Sequence, residues 1–576
     1  MQDRDSQSGV IERLDRLYEF ERSPVSEDHL CGKGYFAGAY AGEHVAATEF
    51  VIGALFVTWG AGMRDLIYGL ALANLLAVLS WTFVCAPIAT ETRLTLYWYL
   101  RKICGPAFTT GYNVLNAILF CVLAGCMITV SASAVRLPFG IPPQTEWYPT
   151  DARFVLTVFL VGGVVVFVAI AGFKRLAAFS SICSPWMLLM FVAGALVALP
   201  ALGEATHIGA IRSFEQFREL GERAIWTGRT PDGELSKIGF WHIAAFAWIC
   251  NLAMHIGLSD MAILRYARRT SYGAFSGFGM FLGHYLAWLA AGVMGAGAAL
   301  AQGVSLTQLD SGAVAYEMLG VAGAIAVVIA GWTTSNPTLY RAGLALQVIT
   351  PGWPRWLVTL IVGIVTTIIA CFPFVFTGLL DFVGIYGLLL VPAGAIVVTE
   401  HWLFPKLGMT RYWSEMRGSL VNWPAMMAWG AGIALALGLY MFDVVHLFFL
   451  FPPVYVLTVV VYLILASFAG ARSDATLPAA SSDRRQGDGA AQAPSTTSAR
   501  RQSASRRPLA LICGLLALLS LLACIASRPQ VYLAPPAEYA ERLAGFRRWL
   551  MVPTLVYFVA ASMWRVVRRP APVVAS

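Results

Sequence analysis

The feature that most constrains this sequence is a succession of apolar runs, each about as long as a bilayer is thick. They fall at 35–61, 66–86, 107–135, 153–172, 177–200, 239–269, 273–301, 313–335, 355–376, 379–403, 421–441, 445–468, 509–526 and 549–567. About 20 apolar residues in a helix cross ~30 Å of hydrocarbon. In lipid every backbone N–H and C=O must be satisfied internally, and a helix does so within one segment. Of 576 residues 58% are hydrophobic and 12% charged, about half the charge usual in a soluble domain. The chain therefore reads as an all-α polytopic membrane protein, with twelve crossings in a core over 35–470 and a two-helix hairpin over 508–576.

The ends and the linker have another composition. Residues 1–34 are dense in charge (Arg4, Glu12, Arg13, Asp15, Arg16, Glu19), the wrong make-up for a secretory signal. Val10, Ile11, Leu14, Leu17 and Tyr18 recur there at helical spacing. They suit an amphipathic helix on the membrane surface, and a solvated tail fits equally well. Residues 471–507, rich in Ala, Ser, Gly and Gln with arginine pairs such as Arg484/Arg485, cannot bury a core and read as a disordered linker. The net charge of +8 gathers in alternate short loops: Arg93, Arg101, Lys102; Lys174, Arg175; Arg265, Arg268, Arg269; Arg341, Arg355; Lys406, Arg411, Arg417. By the positive-inside rule these loops and both termini face the cytoplasm, in the inner membrane of the cell. The charge thus speaks to orientation rather than to nucleic acid. The ten cysteines lie mostly inside apolar runs without a CxxC pair and read as buried thiols.

Function is expected where polar groups interrupt these runs. The first crossing carries Gly42, Glu43, His44 and Glu49. A carboxylate at bilayer depth costs about 2.5–3.5 kcal/mol, whereas each Leu or Ile returns about 0.3–0.6. Such a helix must face protein or water, and the Gly42–His44 step is a place for it to unwind. The sixth crossing, GFWHIAAFAWICNLAMHIGLSDMAILRYARR, places Trp248, Asn251 and His255 at i, i+3 and i+7, one face of a helix, with Gly257 as a weak point and Asp260 beyond. The two polar crossings are five apart and so run in opposite directions, the signature of an inverted repeat with a midplane site. The eighth crossing ends in WTTSNP, where Thr333, Thr334, Ser335 and Asn336 precede Pro337. Thr333, Thr334 and Ser335, with carbonyls near Gly42, offer the hard oxygens that sodium prefers. Alternatively these hydroxyls bond back to their own helix and bend it.

These stretches carry a resemblance. LSDMAILRYARR from Leu258, WTTSNPTLYRAGLAL from Trp332 and FVGIYGLLLVPAGAIVVTEHWLF from Phe382 resemble the sixth, eighth and tenth helices of the nucleobase:cation symporters, the purine, cytosine, allantoin and hydantoin carriers. Asn422-Trp423 before the eleventh helix also fits. The resemblance implies the LeuT-like five-plus-five inverted repeat and cation-coupled uptake of a planar heterocycle. It further implies a ring of the sixth helix stacking on the substrate, at or beside Trp248, and it sets His255 where the family has an Asn. The chain departs from the pattern in its lengthened Asp260–Arg265 spacing, in Phe120, Leu123 and Met127 on the third helix where relatives have a Trp and a Gln, and in its extra hairpin.

The sequence therefore leads to a secondary transporter working by alternating access, without an enzymatic centre. Its substrate site is expected at Glu43, His44, Trp248, Asn251, His255 and Asn336. Cation or proton coupling is expected at Gly42, Glu49, Asp260, Thr333, Thr334 and Ser335, with Thr333 and Thr334 as sodium ligands. The expected partners are a small molecule, its coupling ion and the lipid bilayer. An amino-acid or amine symporter on the same fold is the nearest alternative, since acids in the first helix suit an amine. A transporter-derived membrane sensor is the third reading, with the linker and hairpin as its output.

Overall fold

The computed structural model describes residues 19–144, 146–377, 379–472, 496–526 and 529–568. The surface helix expected near residue 10 and most of the linker lie outside these residues, although a helix already starts at Thr496. Ten described helices are long and apolar enough to cross a membrane, and three shorter apolar ones accompany them.

The first crossing is two helices, α1 (Lys33–His44) and α2 (Thr48–Thr58). Then follow α3 (Met63–Thr92), α4 (Pro106–Val135), α5 (Ala152–Ile170) and α6 (Phe173–Ala205). The sixth crossing is broken into α7 (Phe240–Ile249), α8 (Leu252–His255) and α9 (Met261–Leu264). Next come α10 (Thr270–Gln302), α11 (Val321–Ile349), α12 (Arg355–Ala370), α13 (Gly384–Lys406), α14 (Trp423–Met441) and α15 (Leu447–Ala471). The chain closes on α16 (Thr496–Ala526) and α17 (Tyr539–Val567), which pack on each other and on α6.

The breaks have local causes. Gly279 and Gly283 of α10 lie against the end of α1, where a side chain at Gly283 would collide with the His44 carbonyl. Close approach holds the backbone there, and the chain leaves the helix at Val45 (φ −93°, ψ 67°). The first break thus lies just after Gly42–His44, which remain helical. In the sixth crossing Asn251 adopts φ −116°, ψ 27° between α7 and α8, consistent with the tendency of short amide side chains to compete with the helical ladder. A second interruption follows α8, where Leu258 takes φ +65°, a region most non-glycine residues avoid.

Two expectations are corrected here. The eighth crossing does not end at 335: α11 runs unbroken through Pro337 to Ile349, preceded by a separate short helix Ser311–Leu319. Three arginines counted as loop charge are buried instead: Arg265 and Arg341 at 0% exposure and Arg355 at 6%. Arg265 donates to the carbonyls of Glu19 and Phe20, stitching the N-terminal segment to the end of the sixth crossing. A guanidinium stays charged at any accessible pH, so each must be met by protein rather than by water.

Candidate functional site

The two breaks face one cavity of about 70 Å³, lined also by α4, α10, α11 and α13. One water needs roughly 10–15 Å³ of such space, so the cavity is sized for several waters or a small polar molecule. Its polar lining is Glu43, His44, Glu49, Asn251, His284, Thr334, Thr338 and Tyr386, and its apolar lining includes Ile52, Leu123, Met127 and Met254.

An ion cluster is buried at the α1 side of this cavity. Arg341 of α11 donates to both carboxylate oxygens of Glu43, at 2.6 and 3.1 Å, and to Oδ1 of Asp260. Trp81 of α3 donates its indole N–H to Asp260 Oδ2 at 2.6 Å. One guanidinium thus ties α11 to the end of α1 and to the residue before α9. Burying such charges is tolerable only because each is paired and hydrogen-bonded. Thr334 adds a neutral tie, donating to the Glu43 carbonyl at 2.9 Å.

The opposite wall is built on α2 and α10. Trp288 donates its indole N–H to Glu49 Oε2, and His284 Nε2 lies 3.8 Å from Glu49 Oε1. The same nitrogen faces Asn251 Nδ2 at 3.2 Å, a pair that binds the second break to α10. His284 stacks on Trp288 with ring centroids 4.3 Å apart and meets the His44 ring edge-on at 5.2 Å. His44 Nδ1 donates to the Tyr40 carbonyl at 2.9 Å. Trp81 and His284 both lie in π-helical turns, Trp81–Cys85 and Phe278–Tyr285, the irregularity that recurs at functional sites.

The structure sorts the sequence-predicted residues into groups. Glu43, His44, Glu49, Asn251 and Thr334 line the cavity together. Asp260 is sealed behind it in the ion cluster. Trp248, Asn251 and His255 do not share a helical face, because α7 ends before Asn251. Trp248 is half-buried, donates to Ser80 Oγ at 3.3 Å and meets Phe451 edge-on at 5.1 Å, away from the cavity lining. His255 turns inward, packs on Trp81 at 4.8 Å and pairs its Nε2 with the Trp248 carbonyl at 3.0 Å. Gly42 supplies the close approach of α1 to Ser180 of α6.

The hydroxyls of the eighth crossing are largely spent on carbonyls. Thr333 donates within its helix to Ile329 and Ala330, each at 3.1 Å, and Ser335 to Ala124 of α4 at 3.2 Å. Asn336 donates to the Trp332 carbonyl at 2.7 Å, and its Oδ1 is buried without a partner. These bonds use the hydroxyl hydrogens of Thr333 and Thr334 and leave the oxygen lone pairs, the atoms a sodium ion would bind. Among the described residues no group of three or more His, Cys, Asp or Glu is placed to hold a metal. Sequence reasoning missed Arg341, His284, Trp288, Trp81 and Tyr386. His284 and Arg341 carried a signal, being ionisable groups in or beside apolar runs.

Comparison with solved structures places this arrangement. Mhp1, a nucleobase-cation-symport-1 family transporter in a closed conformation with bromovinylhydantoin bound, superposes with a TM-score of 0.61 at 14% identity, over 80% of this chain and 96% of that one. This is the LeuT-like transporter fold. A Na+-coupled sialic acid symporter in a substrate-bound outward-open state matches at a TM-score of 0.55 and 14% identity, over 80% of this chain and 96% of that one. The inward-facing conformation of Mhp1 matches at 0.54 and 15%, over 78% and 94%. No family model matches the sequence, and no curated protein matches it in sequence. The two broken crossings that flank the cavity are thus the discontinuous pair of an inverted-repeat fold.

Proposed function

We propose that this chain is a cation-coupled secondary transporter, a divergent relative of the nucleobase:cation symporters, that takes up a small planar heterocycle by alternating access. The observation that carries the reading is the cavity shared by two broken helices, lined by an amide, imidazoles and two carboxylates together with apolar side chains. Asn251 offers both donor and acceptor, and Glu49 a carboxyl group beside it, the complement of a ring with alternating N–H and C=O groups. The Tyr386 and His284 rings take the place that Trp248 leaves as aromatic surface. Both termini face the cytoplasm of the inner membrane in this reading, on the strength of Arg93, Arg101, Lys102, Lys174, Arg175, Arg268, Arg269, Lys406, Arg411 and Arg417. The transporter core spans 35–470, and the hairpin over 508–576 is an addition to it.

Uptake into proteoliposomes under inward sodium or proton gradients tests this, with labelled cytosine, hypoxanthine, allantoin and hydantoin as probes. Uptake of one of them, lowered at least about tenfold (~1.4 kcal/mol) by Asn251→Ala, is the expected result. No uptake of any probe sinks the substrate class. An amine or amino-acid carrier is the second reading, because, of three buried carboxylates near the first break, only two, Glu43 and Asp260, are paired with the one guanidinium of Arg341. Competition of cytosine uptake by arginine separates the two.

A further inference from the structure

We propose that Glu49 carries the coupling proton, an assignment that rests on the transport reading above. It follows from a difference among the three carboxylates buried around the first break. Glu43 and Asp260 share Arg341, and Asp260 also receives Trp81, so both have a permanent cation as partner. Glu49 has no such partner. It is 1% exposed, lines the cavity, and takes one indole N–H from Trp288. The titratable groups that face it are His284 of α10 at 3.8 Å, then His44 of α1, the Cys250 thiol at the second break, Tyr386 of α13, and across the cavity Glu43 with its Arg341. Arg341 is committed to Glu43 and Asp260, and each imidazole already uses one ring nitrogen, His284 against the Asn251 amide and His44 on the Tyr40 carbonyl.

A carboxylate so placed has no cation to hold its charge while the cavity is closed, and it meets water when the cavity opens. The step is a simple transfer. On the side where the cavity is open, a hydronium gives its proton to Glu49, an O–H bond forms and water is left. On the other side that bond breaks and the proton returns to water, with nothing oxidised or reduced. Coupling follows from the change in hydrogen-bonding character. The ionised carboxylate only accepts, whereas the acid can donate to a carbonyl of the bound ring. Proton and substrate then strengthen each other's binding, and by linkage the effect is reciprocal.

Two measurements on the full chain test this. Infrared difference spectra between acidic and alkaline pH should show the C=O band of a protonated buried acid in the wild type. The band should be absent in Glu49→Gln, retained in Glu49→Asp and displaced in Trp288→Phe. In proteoliposomes loaded with a pH-sensitive dye and given cytosine, uptake should acidify the lumen. Glu49→Gln should lose the acidification and at least about tenfold (~1.4 kcal/mol) of concentrative uptake, and Glu49→Asp should keep the acidification. Acidification that persists in Glu49→Gln, or uptake driven by sodium alone without the infrared band, overturns the assignment and leaves the transport reading standing. If neither cytosine nor arginine is taken up, the substrate reading fails, and the infrared band still decides whether Glu49 is the titrating acid. Where Glu49→Gln fails to fold, the shift in Trp288→Phe decides alone, and an unmoved band overturns the proposal.

Discussion

Glu43 and Glu49 flank the same break less than two helical turns apart, yet their surroundings are opposite. Glu43 is locked to Arg341, which reaches across from α11 and also grips Asp260. Glu49 stands on the cavity wall with an indole and an imidazole for company. The difference teaches that a carboxylate in an apolar helix has no fixed meaning of its own. What crosses from another helix decides whether it is a fastener or a group free to change its charge.

The largest effect should come from removing the shared cation. Arg341→Met strands two buried carboxylates and should cost about 3–5 kcal/mol, read as a lower unfolding temperature in detergent. Adding Glu43→Gln and Asp260→Asn should restore most of the loss. A single variant as stable as the wild type would break the contrast at its base. Thr334→Val removes the neutral tie to the Glu43 carbonyl and should cost about 1 kcal/mol, measured the same way. Glu49→Gln should be milder, at most about 1 kcal/mol, because no buried cation is orphaned. A loss as large as that of Arg341→Met would show Glu49 to be structural as well. The smallest effect belongs to Trp248→Phe. It keeps an edge-on ring for Phe451, and binding of whichever heterocycle is transported should not change in a titration. A clear loss of affinity there would return Trp248 to the site.

The fold was largely legible in the sequence because lipid leaves a chain few options: long apolar runs must be helices, and two polar interruptions five crossings apart imply opposed repeats. The first break lies within a few residues of Gly42, Glu43 and His44 because a glycine, a carboxylate and an imidazole in succession mark where an apolar helix meets protein rather than lipid. Trp248 lies outside the cavity because a face shared with Asn251 and His255 needs one continuous helix, and the turn at Asn251 removes that continuity. Arg341 has the pattern of a loop charge because hydroxyls, an amide and a proline follow the apolar run before it, whereas the helix continues to Ile349 and buries it. Its two partners lie 298 and 81 positions away, and no local pattern announces a contact over such separations. His284 and Trp288 were hidden for the plainer reason that a lone imidazole beside aromatic rings resembles ordinary core.

The terminal hairpin has a consequence in time. Trp186 of α6 donates to Thr554 of α17 at 3.1 Å, a partner 368 positions later. Tyr539 and Tyr557 of α17 likewise donate to the α6 carbonyls of Val197 and Ile182. At about 5–20 residues per second of synthesis, Trp186 waits roughly 20–70 s for its partner to be made. During that interval the uncovered flank of α6 must be tended by lipid headgroups, by water or by an insertion factor. The last helices therefore finish the work begun by the fifth crossing, and a chain stopped before residue 539 would carry an unfinished surface into the membrane.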